Sequence, residues 1–381
     1  MKYMSKLMLS AAVVVTLFAA CDKVGDLPVY QGGIATVLAS SVNAIAPAPA
    51  DSLSDVVVFS WSDPKYATDK ETVKYIVQID EAGNNFAASS SKTVSGDQQV
   101  SFTGKEINAI LLGKGYAFGE SHDMEVRVVS SYANNNDQLL SNVLTIPMTA
   151  YKIPPKIALP ASGKLYLVGD ASEGGWSNPV PVPSQEFVQT DETTFAGVFN
   201  LAANKEYLVL PVNGSWDHKY SVANKTLPNL SAGGDFGYDL SDNFPGPATA
   251  GQYLIKLDFQ LGKFTLTPYT GSLPTNLFLV GDATQGGWSN PVPVPSQQFT
   301  RINSSVFEIT TQLNGGKEYL MLPVNGSWDH KYSVADKTLT GLSAGGEFGY
   351  DKPDNFPGPS ASGNYKIQAN FATNQFTVTA Q

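Results

Sequence analysis

A tandem repeat at a constant offset of 112 residues organises the second half of the chain: Trp176 aligns with Trp288, Trp216 with Trp328, Tyr253 with Tyr365 and Phe264 with Phe376, without an insertion. Units of this length are whole domains, because solenoid repeats run about 20 to 50 residues. The chain therefore holds two copies of one fold, and any account of the first must also hold for the second. In the first copy, β-rich runs are predicted over 165–168, 194–201, 206–212, 252–259 and 263–267. Tyr253, Ile255, Leu257 and Phe259 alternate with Leu254, Lys256, Asp258 and Gln260, the period of a strand with one face in a core. The matching inward set of the second copy, Tyr365, Ile367, Ala369 and Phe371, is again apolar. Each copy reads as an antiparallel β-sandwich.

The remainder of the chain fits an all-β protein of three tandem sandwiches. Runs at 56–61, 74–79 and 123–129 are rich in β-formers and separated by Asn, Gly, Ser and Asp clusters, which predicts a further sandwich over 41–152 with Trp61 in its core. Segment 104–115 is the one helical excursion, with Ile107, Ile110 and Leu111 on one face and a stop at Gly113. Pro-, Gly- and Ser-containing stretches at 152–163 and 268–275 read as linkers, which bounds the two copies at 163–268 and 275–381. At the N-terminus, Lys2 and Lys6 precede a 14-residue apolar run, too short for a spanning helix of about 20 residues, so residues 1–20 read as a signal peptide and 21–40 as a tether. Cys21 directly after Ala19-Ala20 resembles a bacterial lipobox, and that resemblance implies lipidation of Cys21 and a membrane anchor. With one cysteine no intrachain disulfide or cysteine-based zinc cluster can form. A net charge of −10 with only Arg127 and Arg301 as arginines excludes a phosphate-tracking nucleic-acid surface.

The two copies have changed unevenly. Residues 188–204 and 300–316 share 2 of 17 positions, whereas 174–187 and 286–299 share 13 of 14, and 206–222 and 318–334 share 16 of 17. Residues 231–247 and 343–359 share 14 of 17. The kept segments are Gly, Pro, Asn, Ser and Asp around aromatics, which is loop chemistry, and loops held constant while a strand drifts point to a retained surface task.

The aromatics narrow that task. Trp176 and Trp288 sit between Gly-Gly and Ser-Asn-Pro, and Trp216 and Trp328 follow Asn-Gly-Ser, so all four are candidates for partly exposed platforms. A sugar ring offers an apolar C–H face and a rim of hydroxyls, and its receptor needs a flat aromatic beside donors and acceptors. Asn178, Asn213, Asp217, Lys219 and Asn243, with their copies Asn290, Asn325, Asp329, Lys331 and Asn355, are the candidate hydroxyl partners. The competing reading makes each tryptophan a core plug. His218 and His330 recur alone, without a second His or Cys in the repeat, and read as hydrogen-bonding rather than metal-binding residues. Asp235, Asp239 and Asp242 have no EF-hand spacing, so neither metal nor cofactor is expected. No H-E-x-x-H, G-x-S-x-G or phosphate loop is present, and no carboxylate pair stands out for glycoside hydrolysis. Two duplicated sites fit avidity better than turnover, so the reading is a binding protein and not an enzyme.

A lipobox-like leader, a sandwich ending in Ser141-Asn142 and Ile146-Pro147 through Tyr151, and repeats opening Leu165–Ala171 and Leu277–Ala283 with Gly-Gly-Trp loops and Gly-x-Tyr-x-Ile strands together resemble SusE/SusF-type surface glycan-binding lipoproteins of Bacteroides-type bacteria. The resemblance covers essentially the whole chain. It implies an immunoglobulin- or fibronectin-like spacer followed by two carbohydrate-binding modules, none of them catalytic. It implies a surface-exposed place in the outer membrane beside a TonB-dependent transporter and a SusD-like protein, with a neutral oligo- or polysaccharide as ligand. By position it makes Trp176 and Trp288 the stacking platforms and lines the sites with Trp216, Lys219 and Tyr220, and with Trp328, Lys331 and Tyr332. The alternative is a structural or adhesive surface lipoprotein that binds protein partners.

Overall fold

The computed structural model describes residues 32–381, so the signal peptide, Cys21 and the first part of the expected tether lie outside the described residues. The described chain is built of strands with one α-helix, and it divides at Pro154/Pro155 into two compact units, the second of which holds both copies of the repeat.

In the first unit a three-stranded sheet (Leu38–Ser40, Asp55–Trp61, Gln99–Thr103) and a five-stranded sheet centred on Lys74–Glu81 and Ser121–Ser131 enclose a core of Phe59, Trp61, Tyr75, Val77, Ile79, Val126 and Ile146. Two sheets facing one apolar core make the expected sandwich. The tether boundary moves, because Leu38–Ser40 pairs in register with Phe59–Trp61, so sandwich structure begins before residue 41. The helix spans Gly104–Gly113, and the Thr103 hydroxyl and the Glu106 carboxylate satisfy each other's backbone N–H at its start. Ile107 and Leu111 are its buried aliphatic residues, beside buried Gly104 and Asn108.

Each copy in the second unit is a sandwich of two five-stranded sheets. In the first copy, one sheet runs Val188–Gln189, Thr194–Leu201, Gly251–Asp258, Lys263–Pro268, Gly233–Asp235 in spatial order. The other joins Tyr166–Val168, Glu206–Leu210, Tyr220–Ser221, Gly237–Tyr238 and Phe244–Pro245. Tyr253, Ile255, Leu257 and Phe259 are buried between the sheets as the alternation requires, and Ile367, Ala369 and Phe371 repeat this in the second copy. The second sheet is buried on both faces. Tyr166, Val168, Leu208 and Leu210 form a satellite cluster with Val180 from the proline-rich loop, so that loop roofs the outer face of the sheet. This accounts for the unbroken apolar run Tyr207–Leu210, where alternation fails.

Both stretches read as linkers are docked, not free. The backbone N–H of Ile157 donates to the Phe259 carbonyl and its side chain packs on the first core. Tyr269 and Leu273 pack their side chains on the second core, and their N–H groups donate to Gln252. The copies also meet directly. The turn Asn303–Ser305 of the second tucks against the edge of strand Thr194–Leu201 of the first, beyond the point where Val188–Gln189 stops pairing. There the Ser305 hydroxyl accepts from the Val198 N–H at 2.7 Å and the Ser304 N–H donates to the Glu186 carbonyl at 2.8 Å.

Candidate functional site

The conserved loops of each copy converge on one surface, and the reason is local. Gly169, at φ 136°, lies so close to the Glu206 carbonyl that a Cβ would approach it to 2.5 Å, and its N–H donates to Gly175 O, which starts the tryptophan loop from a fixed point. The buried Gln185 carboxamide holds the loop from beneath, accepting from the Gly174 N–H at 2.6 Å and donating to the Leu167 carbonyl. Two asparagines then fasten this loop to the Asn213–Asp217 loop. The Asn178 carboxamide accepts from the Gly214 N–H at 2.7 Å and donates to the Ser215 carbonyl at 3.0 Å. Asn213 accepts from the Val180 N–H at 2.7 Å and donates to the Val180 carbonyl at 3.3 Å. Asn290 and Asn325 repeat all four bonds in the second copy.

The product of this fastening is a tryptophan pair. Trp176 and Trp216, 38% and 52% exposed, lie with ring centroids 6.4 Å apart and planes inclined by 41°. Trp288 and Trp328, 41% and 52% exposed, lie at 6.5 Å and 40°. These are not core plugs. The same loops carry exposed Val182 and Val212, copied by Val294 and Val324, which the sequence reading passed over although prolines on both sides of Val182 mark it as a loop tip.

Beside the pair, the His218 ring stacks on Tyr238 at a centroid distance of 5.1 Å, and its Nδ1 lies 2.8 Å from the Asp239 carboxylate. The Lys219 N–H, and then His218, hold the Asp239 carboxyl below the usual carboxylate range. His330, Tyr350 and Asp351 repeat the arrangement. Tyr238, a further exposed aromatic, is a residue that sequence reasoning missed; its recurrence at the repeat offset as Tyr350 was the available signal.

The other predicted residues fall in different places. Tyr220 and Tyr332 are each 1% exposed, with their hydroxyls donated to the Ala158 and Ser272 carbonyls, and are core residues that present no ring to a ligand. Asn178, Asn213, Asn290 and Asn325 are engaged in the loop fastening above. Asn243 donates to the Glu206 carboxylate, which also pairs with Lys225 at 2.7 Å, and Asn355, Glu318 and Lys337 copy that network. Asp217 and Asp329 are exposed and each accepts from the serine hydroxyl two residues earlier in its loop. Lys219 and Lys331 are half-buried, next to the His–Asp pair. Asp235, Asp239 and Asp242 are dispersed to separate partners: lysines, His218 and the Lys225 N–H. Among the described residues no group of three His, Cys, Asp or Glu side chains could hold a metal ion.

Comparison with known proteins gives two findings. Residues 25–129 match the family described as SusE outer membrane protein. The crystal structure of SusF from Bacteroides thetaiotaomicron aligns over 92% of this chain and 77% of that chain, with 16% identity and a TM-score of 0.32. No curated protein matches the chain. By the family match the N-terminal part of the chain is similar to the SusE outer membrane proteins.

Proposed function

We propose that this protein captures a neutral oligo- or polysaccharide at the cell surface through two equivalent aromatic sites, Trp176 with Trp216 and Trp288 with Trp328, and presents it to an uptake system in the outer membrane. The observation that carries this reading is the pair of exposed tryptophans, reproduced in both copies to within 0.1 Å and 1° in spacing and tilt. Two flat apolar faces about one sugar length apart suit successive rings of a glycan, and their inclination favours a chain that turns between rings over a flat ribbon. Each stacked ring contributes about 0.5–1.5 kcal/mol beyond area burial, by analogy with aromatic pairs. One such site is weak; two on one chain raise overall affinity by about 10²–10⁴ when both engage the same polymer.

Lipidation of Cys21 would tether the sites to the membrane, and a TonB-dependent transporter with a SusD-like protein is the partner class that fits. The reading is of a binding protein without turnover. Affinity electrophoresis of residues 22–381 through starch, mannan, xylan and β-glucan gels tests it, together with an assay for reducing ends released from each polysaccharide. Retardation by at least one glycan with no release is expected. Free migration through every gel would favour an adhesive protein, and release of reducing ends would make it a hydrolase.

A further inference from the structure

Apart from the divergent segment at 188–204 and 300–316, the two copies differ in a further place that the platform sites do not explain. Beside the second copy lies a cleft of about 260 Å³, walled on one side by Leu254 and Thr267 of the first copy and on the other by Tyr269, Glu347, Tyr350, Lys352 and Asn374. Its volume falls just under the roughly 300–1,000 Å³ of ordinary small-molecule sites, which suits a ligand segment of about one ring.

Tyr350 repeats Tyr238, but the other second-copy residues replace a paired carboxylate, a glycine and apolar side chains of the first copy. Asp235, the counterpart of Glu347, is paired with Lys263 at 2.8 Å and lies 3.8 Å from Lys156. In the second copy those two lysines have become Gln375 and Pro268. Leu240 has become Lys352, Gly262 has become Asn374 and Ile157 has become Tyr269. A surface salt bridge and an apolar side chain have thus been exchanged for an exposed carboxylate and an exposed ammonium group that form no ion pair with one another or with a neighbour among the described residues. The Tyr269 hydroxyl and the Asn374 carboxamide, 3.0 Å apart, fix the floor between them. Tyr350 forms one wall and stacks on His330 at 5.0 Å, and His330 stands two residues after Trp328, so their Cα atoms lie within about 7 Å.

We propose that this cleft is a third saccharide position, specific to the second copy, in which Glu347 accepts from the hydroxyls of one sugar ring, Lys352 donates to them and Tyr350 covers the ring's apolar face. It rests on the glycan reading given above. A neutral sugar ring satisfies both charges at once, because its hydroxyls both donate and accept. The gain over a neutral pair is the greater strength of hydrogen bonds to ionised groups.

The test uses residues 22–381 carrying Trp176→Ala, Trp216→Ala, Trp288→Ala and Trp328→Ala, which removes both platforms and leaves the cleft. Ligand-observed NMR, sensitive to millimolar binding, is run in turn with neutral heptasaccharides cut from starch, mannan and xylan. Residual binding of one of them is expected, weakened about tenfold or more when Glu347→Ala and Lys352→Ala are added. Glu347 and Lys352 are exposed, so a thermal melt that matches the parent shows that any loss is not unfolding. If the tryptophan-free protein binds none of the three while the wild type binds one, the cleft is no saccharide position and the platform reading stands. Residual binding that survives loss of both charges overturns the assignment of these residues. If the wild type itself binds none, both readings fall together.

Discussion

The two copies are near-identical where they carry loops and unlike where they meet. Strand Thr194–Leu201 of the first is buried along almost its whole length, because the Asn303–Ser305 turn of the second closes its free edge. The equivalent strand of the second, Val306–Leu313, has Thr310 and Gln312 exposed, and its edge opens on a groove of about 460 Å³ bordered by Gln298, Ile302 and Glu308. A head-to-tail contact is asymmetric: one copy supplies a socket and the other a plug, so each copy is free to diverge where it does not need the other's surface. Gly197, with no room for a Cβ beside the Ser304 hydroxyl, aligns with Ile309, and Ser305 aligns with Thr193. The segment that retains 2 of 17 positions is therefore the junction itself, and its divergence records two different tasks where sequence reading saw a drifting strand.

The comparison breaks most readily at that junction. Ser305 is fully buried, so Ser305→Arg places an uncompensated charge in the contact and should lower stability by about 3 kcal/mol or more, read by thermal or urea unfolding. Thr193→Arg, at the equivalent and partly exposed position, should shift it by less than about 0.5 kcal/mol. Equal effects would mean that the copies are not distinguished by this contact.

Asn178→Ala and Asn290→Ala sharpen the other half of the comparison. Each removes two hydrogen bonds between the tryptophan loops, and each should cost about 1–2 kcal/mol and weaken glycan retention as much as loss of the neighbouring tryptophan. The two variants should match, since the fastening is the same in both copies. Retention left intact would show that the loops hold their shape without it.

The smallest expected effect concerns acid. Glu206 and Glu318 are held below the ordinary value of 4.5, first by Lys225 and Lys337 and then by Asn243 and Asn355. A carboxylate depressed in the folded state stabilises fully above its unfolded value, and that contribution is lost as pH falls through the lower folded value. Glu206→Gln and Glu318→Gln should each remove under about 1 kcal/mol at pH 7, because the ion-paired side chains are 34–41% exposed and solvent-screened. Each should also flatten the stability profile below pH 4.5 by the same amount. Different responses in the two copies would show that the networks are not equivalent.

Much of this fold was legible. Alternation places Tyr253 through Phe259, and the helix at Gly104–Gly113 follows from its spacing and its stop. The exposure of Trp176 and Trp288 was legible because the glycines and proline around them restrict the chain to loops. What the asparagines do was not. Asn178 reads equally well as a ligand contact or a loop fastener, and only the approach of backbone 36 positions away, at Gly214, decides between them. Tyr220 escaped for a related reason. It lies in a two-residue strand, too short for alternation to show which face is inward, and its burial depends on Phe236 and Phe259 packing around it. Divergence between copies was visible as a count, but its cause lies in a contact between residues more than 100 positions apart.

The proposal that the retained loops are the glycan sites is open to a direct test. It is tested most directly by affinity electrophoresis of Trp176→Ala, Trp288→Ala and the double variant in whichever polysaccharide gel retards the wild type. Reduced retardation is expected in each single variant, by similar amounts, with loss of most or all of it in the double. A double variant retarded as strongly as the wild type would contradict the proposal.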